Sequence, residues 1–234
     1  MLIYGRNPVE ESLCGKVQIQ EAFILESLKN KGAIVKLIKK LEEKNIPISF
    51  EKKEFFEKID GNHQGIAIKI KDFSYKKLKD FKDSKRLLIL DQIEDPHNFG
   101  AIIRSAEAFG FDGIIIGERR SAKVNPTVYK TSVGAINNIS IAIAKNLNMA
   151  IKELKENGFW IYGLAGEEDN ILAKTDLSGK IALVVGNEGK GLSRLVRENC
   201  DMLIKIPMIG KINSLNASVA TAIAMYEVIR DGEK

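Results

Sequence analysis

The chain has 234 residues, 44% of them hydrophobic and 29% charged, and a formal net charge of +5. That length holds one large domain or two modest ones, and the composition excludes a disordered, collagenous or disulfide-framed chain. The longest apolar runs, such as residues 87–90, are too short to span a bilayer. The first six residues lack the charged-then-apolar order of a signal peptide, so a soluble, cytoplasmic protein is expected.

Charge is unevenly placed. Residues 1–84 hold 17 Lys and Arg against 13 Asp and Glu, and 16 of the 17 are Lys; the other 150 residues hold 19 against 18. A basic surplus in the first third suits a polyanion, although a solvated lysine-rich surface would look the same. Cys14 and Cys200 have no second Cys or His at ligand spacing, so both are expected to be reduced packing residues, with neither a disulfide nor a bound metal.

In chain order, residues 1–72 read as a small α/β unit. It has a short helix at 8–13, a strand at 22–25, and an amphipathic helix at 33–44 with Ile34, Leu37, Ile38 and Leu41 on one stripe. Residues 65–70 then alternate as a strand. Residues 73–84, polar and Lys-rich, are expected to be the linker. From Lys85 onward, strands at 87–90, 113–116, 139–143, 159–164, 181–185 and 202–206 alternate with helices at 98–109, 126–135, 147–157, 192–199 and 216–230. Near-continuous Val/Ile/Leu strands between amphipathic helices predict a mostly parallel sheet covered on both faces, with ligands outside the strands' carboxyl ends.

Three segments at such strand ends carry more Asn, Gly and charge than packing needs. In residues 91–104, Pro96 blocks further strand and Asn98 is a candidate N-cap. Gly100 and Arg104, four apart, share a helix face, so the guanidinium would stand one turn beyond open space. By spacing alone, Asn98 could be only a cap and Arg104 only a surface ion-pair partner. The second segment, Gly186-Asn187-Glu188-Gly189-Lys190-Gly191, lets the backbone approach a ligand closely. It fits neither the dinucleotide nor the P-loop spacing, and as a plain turn it would leave Glu188 in the first turn of the next helix. The third runs from Ile206-Pro207-Met208 to Ser214-Leu215-Asn216-Ala217-Ser218, where Ser214 or Asn216 can cap the last helix. No G-x-S-x-G surrounds Ser214, and a serine-hydrolase role is not supported.

In this order, the three segments resemble the signature motifs of the SpoU (TrmH) family within the SPOUT RNA methyltransferases, over residues 86–230. Ile3-Tyr4-Gly5-Arg6-Asn7-Pro8-Val9 and His63-Gln64-Gly65-Ile66-Ala67 are similar to the two ends of the small L30e-like RNA-binding domain of the large-subunit ribosomal RNA guanosine 2′-O-methyltransferases. The resemblance implies two domains: an L30e-like substrate-binding α/β domain (1–72) and, after the linker, a SpoU methyltransferase α/β domain (85–234) with a deep trefoil knot, an exception to un-knotted topology. It implies S-adenosylmethionine as cofactor, bound by Gly186, Ile206 and Leu215 with Met208 and Ala217 adjacent. A homodimer through the knot domain and an RNA partner, 23S ribosomal RNA, are also implied.

Arg104 matches the residue for which the family proposes a base role. A guanidinium ordinarily stays protonated, so it would act as base only beside a phosphate or the cofactor's charge; otherwise it clamps the target phosphate. Asn98, Glu188, Ser214 and Asn216 match the family's other polar site residues. The expected activity is methylation of a ribose 2′-hydroxyl on a guanosine of 23S ribosomal RNA. The alternatives are a transfer RNA guanosine and a knotted RNA-binding protein that has lost activity.

Overall fold

A computed structural model describes residues 1–14, 17–167, 169–211 and 214–232. Up to residue 74 the elements are β1 (Leu2–Tyr4), α1 (Arg6–Cys14), β2 (Ile19–Leu25), α2 (Gly32–Glu43), β3 (Ile48–Glu51), α3 (Lys53–Phe56) and β4 (Ile66–Ile70). Beyond it come β5 (Arg86–Leu90), α4 (Pro96–Ala108), β6 (Gly113–Gly117), α5 (Pro126–Thr131), β7 (Ser140–Ala144) and α6 (Leu147–Glu156). The chain continues through β8 (Trp160–Leu164), β9 (Ile181–Val185), α7 (Arg194–Asn199), β10 (Met202–Ile204) and α8 (Ala217–Gly232). Contacts divide the chain into two units, Met1–Ser74 with Val124–Asn137, and Tyr75–Lys123 with Asn138–Lys234.

The first unit is built on a four-stranded sheet in the order β1-β4-β2-β3. β2 and β3 run parallel, joined through α2, whose Ile34, Leu37 and Leu41 are buried as its apolar stripe predicts; β4 lies antiparallel between β1 and β2. Periodicity missed β1 and β3, because three or four residues are too few to show a period. The segment around α5 joins this unit, with Val128 and Ile136 buried. The expected helix at 126–135 stops at Thr131, since Val133 and Gly134 both take positive φ, 50° and 82°.

The second unit is a six-stranded, wholly parallel sheet in the order β10-β8-β9-β5-β6-β7. Its inner strands are buried on both faces, which is why they read as unbroken aliphatic runs. The chain builds outward from β5 to β7, then crosses to β8 and inserts β9 beside β5. The strand order therefore reverses at the β9–β5 pair, where a ligand crevice is expected at the carboxyl ends.

Two local expectations are corrected. Residues 75–84 are part of the second unit: Lys76 donates its backbone N–H to the Ile141 carbonyl at 2.8 Å, and Phe81 is buried in the core with Leu87, Ile89 and Ile115. A Cβ at Gly113 would lie 2.1 Å from the Phe81 ring, so the glycine leaves the space that the ring fills. Asn98 is not the cap of α4. Asp95 caps it, accepting from the backbone N–H groups of His97 and Asn98, and Pro96 takes the first helical position, where no N–H is needed.

The cysteines differ from each other. Cys200, at the end of α7, donates Sγ–H to the Val196 carbonyl at 3.3 Å, and burial pushes its thiol pKa up to about 12. Cys14 is exposed, so a packing role does not describe it. No helix among the described residues is long and apolar enough to cross a membrane.

Candidate active site

Three strands of the second unit end around one cleft of ≈ 680 Å³, measured out to its open mouth. Leu164, Ala165 and Gly166 come from the end of β8, Val185 and Gly186 from the end of β9, and Ile204, Ile206 and Met208 from β10 and beyond. Ser214, Leu215, Ala217 and Ala220 close it from the start of α8. The lining is mainly apolar, with backbone groups of the loops supplying the polar edges, an arrangement suited to a flat heteroaromatic ring.

The β9 loop is shaped by close backbone approach. A Cβ at Gly186 would lie 2.2 Å from the Gly191 carbonyl oxygen, so no other residue fits without moving the loop. Gly191 donates its N–H to the Asn187 carbonyl at 2.8 Å, and Asn187 Oδ1 accepts from the Gly189 N–H at 3.0 Å, closing the turn on itself. Asn187 Nδ2 reaches across to the Gln92 carbonyl at 3.3 Å. Beneath lies Asp91, 3% exposed at the end of β5, whose Oδ2 accepts from the Ser193 N–H at 2.7 Å. The β5 and β9 loops are thereby tied together at the point where the strand order reverses.

At the mouth, three polar residues from three elements converge. Glu188 Oε1 accepts from Asn98 Nδ2 at 2.5 Å, from Asn216 Nδ2 at 3.2 Å and from the Ala217 N–H at 3.3 Å. Asn216 Nδ2 also donates to Asn98 Oδ1 at 3.0 Å. The other end of the Asn216 amide caps α8, its Oδ1 accepting from the Ser218 N–H at 3.0 Å and the Ser218 hydroxyl at 2.6 Å. Glu188 does meet a helix N-terminus, that of α8 and not of the helix following its own loop, where the dipole favours its charge.

Of the residues singled out from sequence, Asn98, Glu188 and Asn216 form this network. Gly186, Ile206, Met208, Leu215, Ala217 and Ser214 line the cleft. Arg104 stands apart from both groups: it is exposed on α4, two turns from the helix start, and makes no hydrogen bond or ion pair among the described residues. Sequence reasoning assigned no role to Asp91, Asn187 or the β8 end. A carboxylate directly after a buried strand was the available signal for Asp91; Leu164-Ala165-Gly166 carries none.

The fold of the whole chain is that of the SpoU methyltransferases. AviRb from Streptomyces viridochromogenes, solved with AdoMet, superposes with a TM-score of 0.82 over 98% of this chain and 89% of its own, at 20% identity. The TrmH/SpoU tRNA modifying enzyme of A. aeolicus superposes with a TM-score of 0.58 over 66% of this chain and 81% of its own, at 31% identity. The chain belongs to the SpoU rRNA methylase family, whose model matches residues 85–226. Residues 2–76 match the RNA 2′-O ribose methyltransferase substrate-binding model. A protein of Staphylococcus saprophyticus assigned to the TrmH family of tRNA/rRNA methyltransferases is 40% identical, over 98% of this chain and 95% of its own length. YacO of Bacillus subtilis, of the same assignment, is 38% identical over 97% and 94%.

Proposed function

We propose that this S-adenosylmethionine-dependent RNA methyltransferase methylates the 2′-hydroxyl of a ribose, on a guanosine of 23S ribosomal RNA. The observation that carries the reading is the convergence of one apolar cleft and one polar network at the strand-order reversal. The cleft fits the cofactor: Leu164, Ile204, Ile206 and Leu215 offer faces to an adenine, while loop N–H and carbonyl groups offer its edges hydrogen bonds. Bound there, S-adenosylmethionine supplies an electrophilic methyl group.

The protein's own work is orientation and charge. Glu188 fixes the Asn98 and Asn216 amides and with them the starts of α4 and α8. Arg104, uncommitted within the unit, is free to meet the substrate phosphate and hold the hydroxyl in line, or to take its proton once a phosphate has altered its environment. Main-chain recognition by the loops after β9 and β10 is what a trefoil-knotted C-terminal segment would supply. The chain's passage from β9 out to the sheet edge at β10, and back to α8 on α4, supports that topology.

A homodimer through this unit accords with a partly exposed apolar stripe on α8, whose Tyr226 also packs edge-on against Phe109. Val219, Ile223 and Tyr226, at spacings of four and three, are 47%, 37% and 53% exposed. The N-terminal lysine surplus and the substrate-binding match support RNA as the partner, and the resemblance of the His63-Gln64-Gly65 segment to the large-subunit ribosomal RNA enzymes favours a ribosomal guanosine over a transfer RNA one. Mapping the ribose methyls that disappear from cellular RNA when the gene is deleted tests the assignment. A single lost 2′-O-methylguanosine in 23S ribosomal RNA is expected, and a loss confined to transfer RNA would overturn the ribosomal part.

A further inference from the structure

The first unit contains a second cavity, of ≈ 540 Å³ to its mouth, lined by Leu25, Ser27, Lys53, Phe56, Glu57 and His63. Its floor ends a series of aromatic rings. Phe23 and Phe55 lie 4.8 Å apart between centroids, Phe55 and Phe56 5.3 Å, and Phe56 and His63 5.0 Å with their planes inclined by 33°. The series ends at His63, which lines the cavity together with Phe56.

The loop carrying His63 is preorganised. His63 Nδ1 accepts from the Gly65 N–H at 3.0 Å, so Nε2 carries the ring proton and is the donor left over. Gln64 Oε1 accepts from the Arg6 N–H at 2.9 Å, and Tyr4 donates its hydroxyl to the Asp60 carbonyl at 2.7 Å. Gly65 has φ of 73°, and a Cβ there would lie 2.2 Å from Leu28 Cδ1. Such bracing suits a site that must keep its shape before a ligand arrives.

The chemistry of the lining is mixed in a particular way. Leu25 and Phe56 offer apolar surface, the His63 ring a stacking edge, His63 Nε2–H and the Lys53 ammonium offer donors, and the Glu57 carboxylate offers an acceptor. Lys53 and Glu57 pair at 3.0 Å on the exposed rim, where water competes for both. Lys29, Lys52 and Lys58, all exposed, flank the lining residues along the chain, interleaved with the exposed carboxylates Glu26, Glu54 and Asp60. An apolar slot rimmed by both ammonium groups and carboxylates does not suit an apolar peptide. It suits a base lifted from its stack, whose neighbouring phosphates meet the ammonium groups. A purine matches best, because its acceptors (N7, and O6 in guanine) face the donors while its ring N–H or amino group meets Glu57.

We propose that this slot holds an unstacked purine base of the RNA substrate, making His63, Ser27, Lys53 and Glu57 specificity residues remote from the methyl-transfer site. The proposal rests on the RNA-methylation reading for its ligand, yet its test needs no methyl transfer. The chain has two histidines, so the His63 ring proton signals are assigned by comparison with His63→Asn. The full-length protein, saturated with S-adenosylmethionine to close the first cleft, is titrated with the trinucleotides r(AGA) and r(UUU). Saturable movement of the His63 signals by r(AGA), and weaker binding by at least ~5-fold in Ser27→Tyr and in Lys53→Met, are expected, since stacking of one base contributes about that much or more. Both substitutions are at exposed positions, and an unchanged melting temperature verifies the fold. An unmoved His63 signal, binding undiminished in both variants, or an equal response to r(UUU) would overturn the proposal. Loss of methylation on ribosomal RNA with the r(AGA) response intact would overturn the functional reading and leave the slot standing.

Discussion

Glu188 is the residue on which the site's geometry turns, because one carboxylate oxygen accepts from two side-chain amides and one helix N–H. Glu188→Ala removes the common acceptor of Asn98 and Asn216 and is expected to lower methyl transfer at least ~10-fold. The residue is exposed, so thermal unfolding should barely move. Arg104→Ala should cost at least ~100-fold in single-turnover rate, by either of its roles, with S-adenosylmethionine affinity unchanged by calorimetry. A near-wild-type rate would remove Arg104 from the chemistry. Cys200, its thiol raised to about 12 by burial, is protonated at pH 8 and should resist alkylation in the native state, while exposed Cys14 reacts. The Cys14→Ser/Cys200→Ser protein should keep activity within ~3-fold. At this scale the sequence was informative about identity and less so about role. Asn98 has the composition of a cap, but Asp95 and Pro96 start the helix three residues earlier and free its amide for Glu188.

Among the elements, long aliphatic strands were legible to within a residue or two because burial on both faces writes itself as an unbroken run. The short edge strands β1 and β3 were not, and neither was the packing of residues 75–84. Phe81 is one aromatic in a lysine-rich stretch, and only the space left by Gly113, distant in sequence, explains its burial. Phe81→Ala should therefore destabilise the protein by about 3–5 kcal/mol, as for a fully buried aromatic, seen as a lower midpoint in urea. The β8 end was illegible for a related reason: Leu164, Ala165 and Gly166 act through backbone and shape. Gly186 is different, since its neighbours leave no space for a side chain. Gly186→Ala should displace the β9 loop and weaken S-adenosylmethionine binding at least ~10-fold, and unaltered affinity would show that the loop can yield.

For the whole molecule, the substrate-binding match of residues 2–76 and the methylase match of residues 85–226 support a division of work between gripping RNA and carrying out the transfer. Affinity for RNA should fall steeply with salt, as counterion release requires. The exposed stripe on α8 makes oligomeric state measurable: Ile223→Asp should convert a dimer to a monomer by sedimentation, and a wild-type protein already monomeric at micromolar concentration would remove that interface. The central claim concerns the atom that receives the methyl. The most direct measurement supplies labelled S-adenosylmethionine and ribosomal RNA from a deletion strain to the purified protein, then digests the RNA to nucleosides for mass spectrometry. The label is predicted on the ribose of guanosine, and a label on any base ring would contradict the account.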